Sequence, residues 1–96
     1  MADISISSDG LEPRRKKALF RSWHRGTKEM DFVLGSYADA HIAGLSEADL
    51  VDYEHLLDVS DRELFAWVVG TEPVDPIHDT AVWRSIHAFT HRDKAV

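Results

Sequence analysis

Helical periodicity runs through this chain in five short segments, and no segment of strand length alternates between apolar and polar residues. Each helix would carry an apolar stripe on one face and is too short to be stable in isolation. Each stripe can be buried only against the other helices. The pattern therefore predicts an all-α fold, a compact five-helix bundle that forms a single small domain within 96 residues.

Capping residues and helix breakers set the predicted boundaries. Helices are expected at 13 to 24 or 25, at 27 to 43, from Ser46 onward, from Ser60 to Gly70 and from Asp79 or Thr80 onward. Gly44 would cap the second helix, and two prolines make residues 71–78 a linker. Residues 1–12 and 93–96 are expected to be polar tails, the first disordered, around a domain at 13–92.

The first two helices meet within residues 21–31, which read RSWHRGTKEMD. Gly26 interrupts the helical pattern, because glycine alone reaches positive φ freely and costs about 1 kcal/mol in a helix interior. Thr27 can cap the second helix, and Glu29 and Asp31 fall in its first turn, where the helix dipole favours negative charge. Capping chemistry alone would explain these residues.

The same junction could instead be a contact surface, because Arg25 and Glu29 would lie within one turn of a backbone without a β-carbon. Position and spacing alone favour the capping interpretation. Trp23 could stack on a guanidinium or anchor the turn in the core, and we favour the core. Gly35, inside the second helix, predicts that another element packs closely there.

The charge is divided along the chain. Residues 13–28 contain seven bases and no acid, whereas residues 29–79 contain thirteen acids and one base, Arg62. With a net charge of −6, the chain is expected to orient a charged partner, but its acidic body makes nucleic acid a poor candidate. The run Arg14-Arg15-Lys16-Lys17 opposes the dipole of its own helix, which suggests that its charge serves a contact.

The sequence contains few residues that could form a catalytic site or a metal site. The absence of cysteine excludes disulfides, thiolate zinc sites and cysteine nucleophiles. His87 and His91 share a helix face, but no third ligand is evident, so no metal site is expected. Ser60 is better explained as a cap than as a nucleophile, and no glycine-rich phosphate loop is present. No catalytic residue is assigned, and an enzyme is not expected.

Neither a membrane span nor a targeting segment is recognisable. No apolar run approaches the ~20 residues that a transmembrane helix requires. Residues 1–10 lack the basic and apolar regions of a secretory signal, and the first arginine is Arg14, which argues against a transit peptide. A cytoplasmic location and no membrane insertion are expected.

Two blocks of residues carry a resemblance to a known family. The first is Arg25-Gly26-x-x-Glu29-x-Asp31, preceded by Arg21-Ser22-Trp23-His24 and followed by Val33-Leu34-Gly35. The second is Leu57-x-x-x-Asp61-x-x-Leu64-Phe65-x-Trp67. In order and spacing both resemble the SdhE family of succinate dehydrogenase assembly factors, over about residues 14–90. Met30 stands where many relatives carry leucine, a change that conserves volume.

The resemblance implies an assembly factor that binds the flavoprotein subunit of succinate dehydrogenase, with fumarate reductase as a second candidate. It would promote covalent attachment of FAD to that subunit without binding FAD stably itself. The residues implied in partner binding are Arg25, Gly26, Glu29, Asp31, Arg21 and His24. With the resemblance, a contact surface replaces capping as the favoured interpretation of the junction. Arg25 could then pair with a partner carboxylate or lend positive potential to a reduced flavin. We expect the protein to resemble the bacterial members of the family and to be a monomer.

Two other functions stay open. A small helical interaction module could bind nucleic acid or a membrane surface through the basic first helix. A small antitoxin-like structural protein is suggested only by size and acidity.

Overall fold

The computed structural model describes residues 10–92, in which five α-helices are joined by short connections. They are α1 (Pro13–Trp23), α2 (Lys28–His41), α3 (Glu47–Leu57), α4 (Asp61–Val69) and α5 (Ala81–Thr90). Two 3₁₀ turns, Ile42–Gly44 and Pro76–His78, follow α2 and precede α5. The described range contains no strand, and the predicted all-α five-helix architecture is confirmed. Within the predicted tails, residues 1–9 and 93–96 lie outside the described residues, and Leu11 packs against the core.

Four of the five helices begin at residues predicted to cap them. The side chains of Thr27, Ser46, Ser60 and Thr80 each accept a hydrogen bond from the backbone N–H three positions on. Gly70 ends α4 in the left-handed region with φ 89°. The local sequence thus determines where four of the five helices begin.

The end of α2 differs from the prediction. The α-helix stops at His41, and Ile42–Gly44 forms a 3₁₀ turn in which Gly44 does not have positive φ. At this end of α2, Arg15 Nη1 donates to the carbonyl of Ile42 at 2.7 Å. The guanidinium of Arg15 therefore binds a carbonyl at the end of α2. With a glycine cap, a backbone N–H would bind a carbonyl there instead.

The core lies between all five helices, with α2 at its centre. Within α2, Leu34, Tyr37 and Ala38 are almost completely buried. The other buried apolar side chains are Ala18, Leu19, Met30, Ile42, Leu50, Tyr53, Leu56, Leu57, Leu64, Trp67, Val68, Val82, Trp83 and Ile86. None of the helices in the described range is both long and apolar enough to cross a bilayer.

Gly35 allows α1 to pack closely on α2. A β-carbon at Gly35 would lie only 2.2 Å from the indole ring of Trp23. The same indole donates from Nε1 to Asp39 Oδ1 at 3.1 Å. The close approach predicted at Gly35 and the core role predicted for Trp23 are both confirmed.

The arginines of α1 bind acceptors within the chain. Arg14 forms a paired hydrogen bond with Glu54 at 2.9 and 2.8 Å and also contacts Glu47. Arg21 pairs with Asp58 at 2.8 Å. The unfavourable charge of Arg14 at the start of α1 therefore serves contacts with α3, and Arg21 in its last turn binds the residue that follows α3.

Candidate functional site

Residues 24–27 connect α1 to α2, and local hydrogen bonds fix their shape. Thr27 Oγ1 accepts from the backbone N–H of Met30 at 3.2 Å. Asp31 Oδ1 accepts from the backbone N–H of Arg25. Thr27, predicted to cap α2, and Asp31, predicted in its first turn, therefore both hold the connection.

The carboxylate of Asp61, the first residue of α4, lies against this connection. Its Oδ2 accepts from the backbone N–H groups of Gly26 at 2.6 Å and Thr27 at 3.0 Å. Its Oδ1 accepts from Arg25 Nε at 2.7 Å. One carboxylate from a distant part of the sequence thus binds three consecutive residues, and the N-terminus of α4 favours its negative charge.

The guanidinium of Arg25 points into the protein. Besides Asp61, its Nη1 and Nη2 donate to the carbonyls of Leu57 at 2.6 Å and Val59 at 2.7 Å. The side chain of Arg25 is 10% exposed and that of Asp61 14%. Arg25 therefore ties the α1–α2 connection to the α3–α4 connection, and its charge is neutralised inside the chain.

Gly26 is exposed, but the predicted reason for a glycine there is wrong. Positive φ occurs at Gly10 and Gly70 among the described glycines, and Gly26 is not one of them. Instead, a β-carbon at Gly26 would lie 3.0 Å from Asp61 Oδ2. The glycine leaves room for a carboxylate that approaches from α4, and this contact could not be predicted from local sequence.

The remaining predicted site residues lie around this cluster with different environments. Glu29 is exposed and makes no hydrogen bond or ion pair with any described residue. His24 stacks on Phe20 with ring centroids 3.8 Å apart, and its Nδ1 lies 2.7 Å from the Phe20 carbonyl. Arg21 is held by Asp58. The structure therefore joins Arg25, Gly26 and Asp31 in one cluster, leaves Glu29 free at its edge, and places Arg21 and His24 at the end of α1.

Three residues of α4 belong to the site although they were not predicted there. A cavity of about 390 Å³ is lined by Thr27, Glu29, Asp61, Arg62 and Phe65. Phe65 is 43% exposed. Asp61 and Phe65 both stand in the second block of the sequence resemblance, which was the available signal.

The histidine pair considered as a metal site has other contacts. The rings of His87 and His91 lie 4.5 Å apart, and His91 Nε2 is 2.8 Å from the carbonyl of Val68. Burial and the neighbouring His91 lower the pKa of His87. Among residues 10–92 no group of three or more histidine, aspartate or glutamate side chains could hold a metal ion.

Three chemically different groups are exposed at the junction. They are the bare backbone at Gly26, the free carboxylate of Glu29 and the ring of Phe65. The Arg25–Asp61 pair lies beneath these groups and ties the α1–α2 connection to the start of α4.

Comparison with known proteins places the chain in a family. Residues 16–90 match the family described as flavinator of succinate dehydrogenase. The chain is 35% identical over 69 residues to the FAD assembly factor SdhE of Acetobacter pasteurianus, covering 72% of this chain and 63% of that protein. It is also 35% identical over 83 residues to the mitochondrial succinate dehydrogenase assembly factor 2 of Dictyostelium discoideum, covering 86% and 59%.

The match therefore spans about three-fifths of these relatives' length. It includes both blocks on which the resemblance to the SdhE family was based, and these blocks lie on α1 to α4 and their connections. This chain belongs to the family of succinate dehydrogenase flavinators.

Proposed function

We propose that this protein is an assembly factor that binds the flavoprotein subunit of succinate dehydrogenase and promotes covalent attachment of FAD to it. Its family and the names of its relatives support this function. The observation that carries it is the exposed Gly26 backbone, held in place from beneath by Asp61. We also propose that the protein is a monomer in the cytoplasm and that the flavoprotein subunit of fumarate reductase is a second partner.

The partner would press against Gly26, where no side chain keeps it away. Glu29, one turn into α2, can accept a hydrogen bond or pair with a base of the partner. Arg25 would act through the shape of the junction, because its guanidinium already has three acceptors within the chain. This replaces the expectation that Arg25 pairs with a partner carboxylate or with the flavin.

The protein would promote the reaction by holding the subunit in a reactive arrangement and not by supplying a catalytic group. FAD is then bound by the subunit and not stably by this chain. The residues exposed at the junction suit this role, since they offer backbone, a carboxylate and an apolar ring.

The alternative of nucleic-acid or membrane binding through α1 is weakened by the structure. Arg14, Arg15 and Arg21 are bound to acceptors within the chain, which leaves Lys16 and Lys17 as its exposed bases. Replacing both lysines with glutamate should leave flavinylation intact. A steep, salt-dependent loss of DNA or anionic-vesicle binding in that variant would support the alternative instead.

The test is co-expression of the chain with the flavoprotein subunit, followed by co-purification and in-gel fluorescence of covalent flavin. Gly26→Arg should abolish both signals while the purified variant still melts cooperatively. Gly44→Arg is the matched control, because Gly44 is also exposed and no described atom lies within 4 Å of its β-carbon position. Equal flavinylation with both variants would refute the proposed function.

A further inference from the structure

The cavity beside the junction combines an apolar ring with two exposed charges. Its lining includes Phe65, 43% exposed, together with Glu29 and Arg62. Within residues 10–92 neither charge takes part in a hydrogen bond or an ion pair, and they do not pair with each other. The arginines of α1, by contrast, all have acceptors.

We infer that this cavity is the part of the surface that recognises the flavoprotein subunit, with Phe65 as its apolar anchor. The inference rests on the proposed function and adds residues of α4 to it. An exposed aromatic ring in a concave site, flanked by charges, is typical of the few residues that dominate binding energy at an interface. The α1–α2 junction and the first turn of α4 then form one continuous surface, because Asp61 binds them together.

The charges specify the chemistry of the partner. Arg62 would pair with an acidic group, Glu29 would pair with a basic group, and Phe65 would pack on an apolar side chain. Arg62 is the one base among residues 29–79, so an acidic partner group meets a local positive charge on an otherwise acidic body. The inferred occupant is thus a segment of the subunit that presents a base, an acid and an apolar side chain.

The experiment measures the affinity of the purified chain for the purified flavoprotein subunit by calorimetry. Phe65→Ala should weaken binding about tenfold or more. Arg62→Glu should weaken binding more than Arg62→Ala does, because reversing the charge places the new carboxylate opposite an acidic group of the partner. Val69→Ala, an exposed apolar residue on the same helix but outside the cavity, is the control for Phe65, and Lys16→Glu is the control for the change in net charge.

Wild type and Gly26→Arg are measured alongside. If wild type does not bind, or Gly26→Arg binds normally, the proposed function itself fails. If Gly26→Arg loses binding while Phe65→Ala and Arg62→Glu bind like wild type, the inference about α4 is overturned and the proposed function stands. Thermal melting shows whether each variant is folded, and Phe65→Leu replaces Phe65→Ala if that variant is not.

Discussion

The Oδ2 atom of Asp61 lies 2.6 Å from the backbone nitrogen of Gly26 and 3.0 Å from the position that a β-carbon of residue 26 would occupy. The glycine and the carboxylate are separated by 35 positions in the sequence. A side chain at Gly26 would therefore have two effects, because it would protrude from the surface and push the carboxylate that holds the loop. This relationship leads to the first two predictions.

Gly26→Ala should destabilise the protein modestly, by about 1 kcal/mol, since Asp61 must shift by a few tenths of an ångström. Urea denaturation measures the change. Gly44→Ala, in open space and without positive φ, should be neutral or stabilise by about 0.4–1 kcal/mol through the unfolded chain. Equal effects at the two glycines would contradict the role given to Asp61.

Asp61→Ala should destabilise by about 3 kcal/mol, because it leaves the nearly buried guanidinium of Arg25 without its carboxylate. Arg25→Ala should also be costly, but the double variant should lose less than the sum of the two. A double-mutant cycle in urea gives the interaction energy. Strict additivity would show that the pair does not hold the junction.

Gly35→Ala should destabilise although alanine favours helix by about 1 kcal/mol. Trp23 lies where the new methyl group would go, at 2.2 Å, so α1 must move away from α2. Overpacking of this kind costs about 1–3 kcal/mol. Denaturation followed by tryptophan fluorescence gives the change, and in a Trp23→Ala background the same substitution should no longer destabilise.

Tyr53→Phe should cost about 1–2 kcal/mol. The hydroxyl of Tyr53 is buried between Ser22 Oγ at 2.6 Å and the carbonyl of Leu34 at 3.3 Å, so it joins α3 to α1 and α2. Burial also raises the pKa of Tyr53. Tyr37→Phe is the control in thermal melting, because that hydroxyl bonds to the half-buried Ser85 and should matter less. A larger loss at Tyr37 would contradict this ranking.

Acid should weaken the attachment of α1 to α3. The hydrogen bond from Arg14 lowers the pKa of Glu54 below its usual 4.5, and Arg21 lowers the pKa of Asp58 below 3.8. A lowered carboxylate pKa contributes stability that is present above the usual pKa and is lost as pH falls through the folded-state value. Melting temperatures of Glu54→Gln should therefore fall less steeply than those of wild type below about pH 4.5. Parallel curves would contradict this.

Local sequence was sufficient for the helices. Thr27, Ser46 and Ser60 cap as expected because an N-cap needs only a side-chain oxygen and the next turn of backbone. Local sequence was not sufficient where a residue far away in the sequence makes the contact. Arg15 from α1 binds the carbonyl of Ile42 at the end of α2, and Asp61 from α4 lies close to Gly26.

The same distinction applies to the candidate site. The resemblance pointed to the junction, but it could not show that Arg25 faces inward, because Leu57 and Val59 become its acceptors only when the bundle forms. Phe65 is similar, since its helical spacing with Leu64 and Val68 gives no indication that it remains exposed. The roles of the predicted residues in partner binding stay predictions.

Hydrogen–deuterium exchange of the chain, alone and mixed with the flavoprotein subunit, tests most directly whether the junction is where the subunit binds. The account predicts that the subunit slows exchange in residues 24–31 and 61–66 and leaves α5 unchanged. Slower exchange confined to the first turns of α1, with no change at Gly26 or at the start of α4, would contradict it.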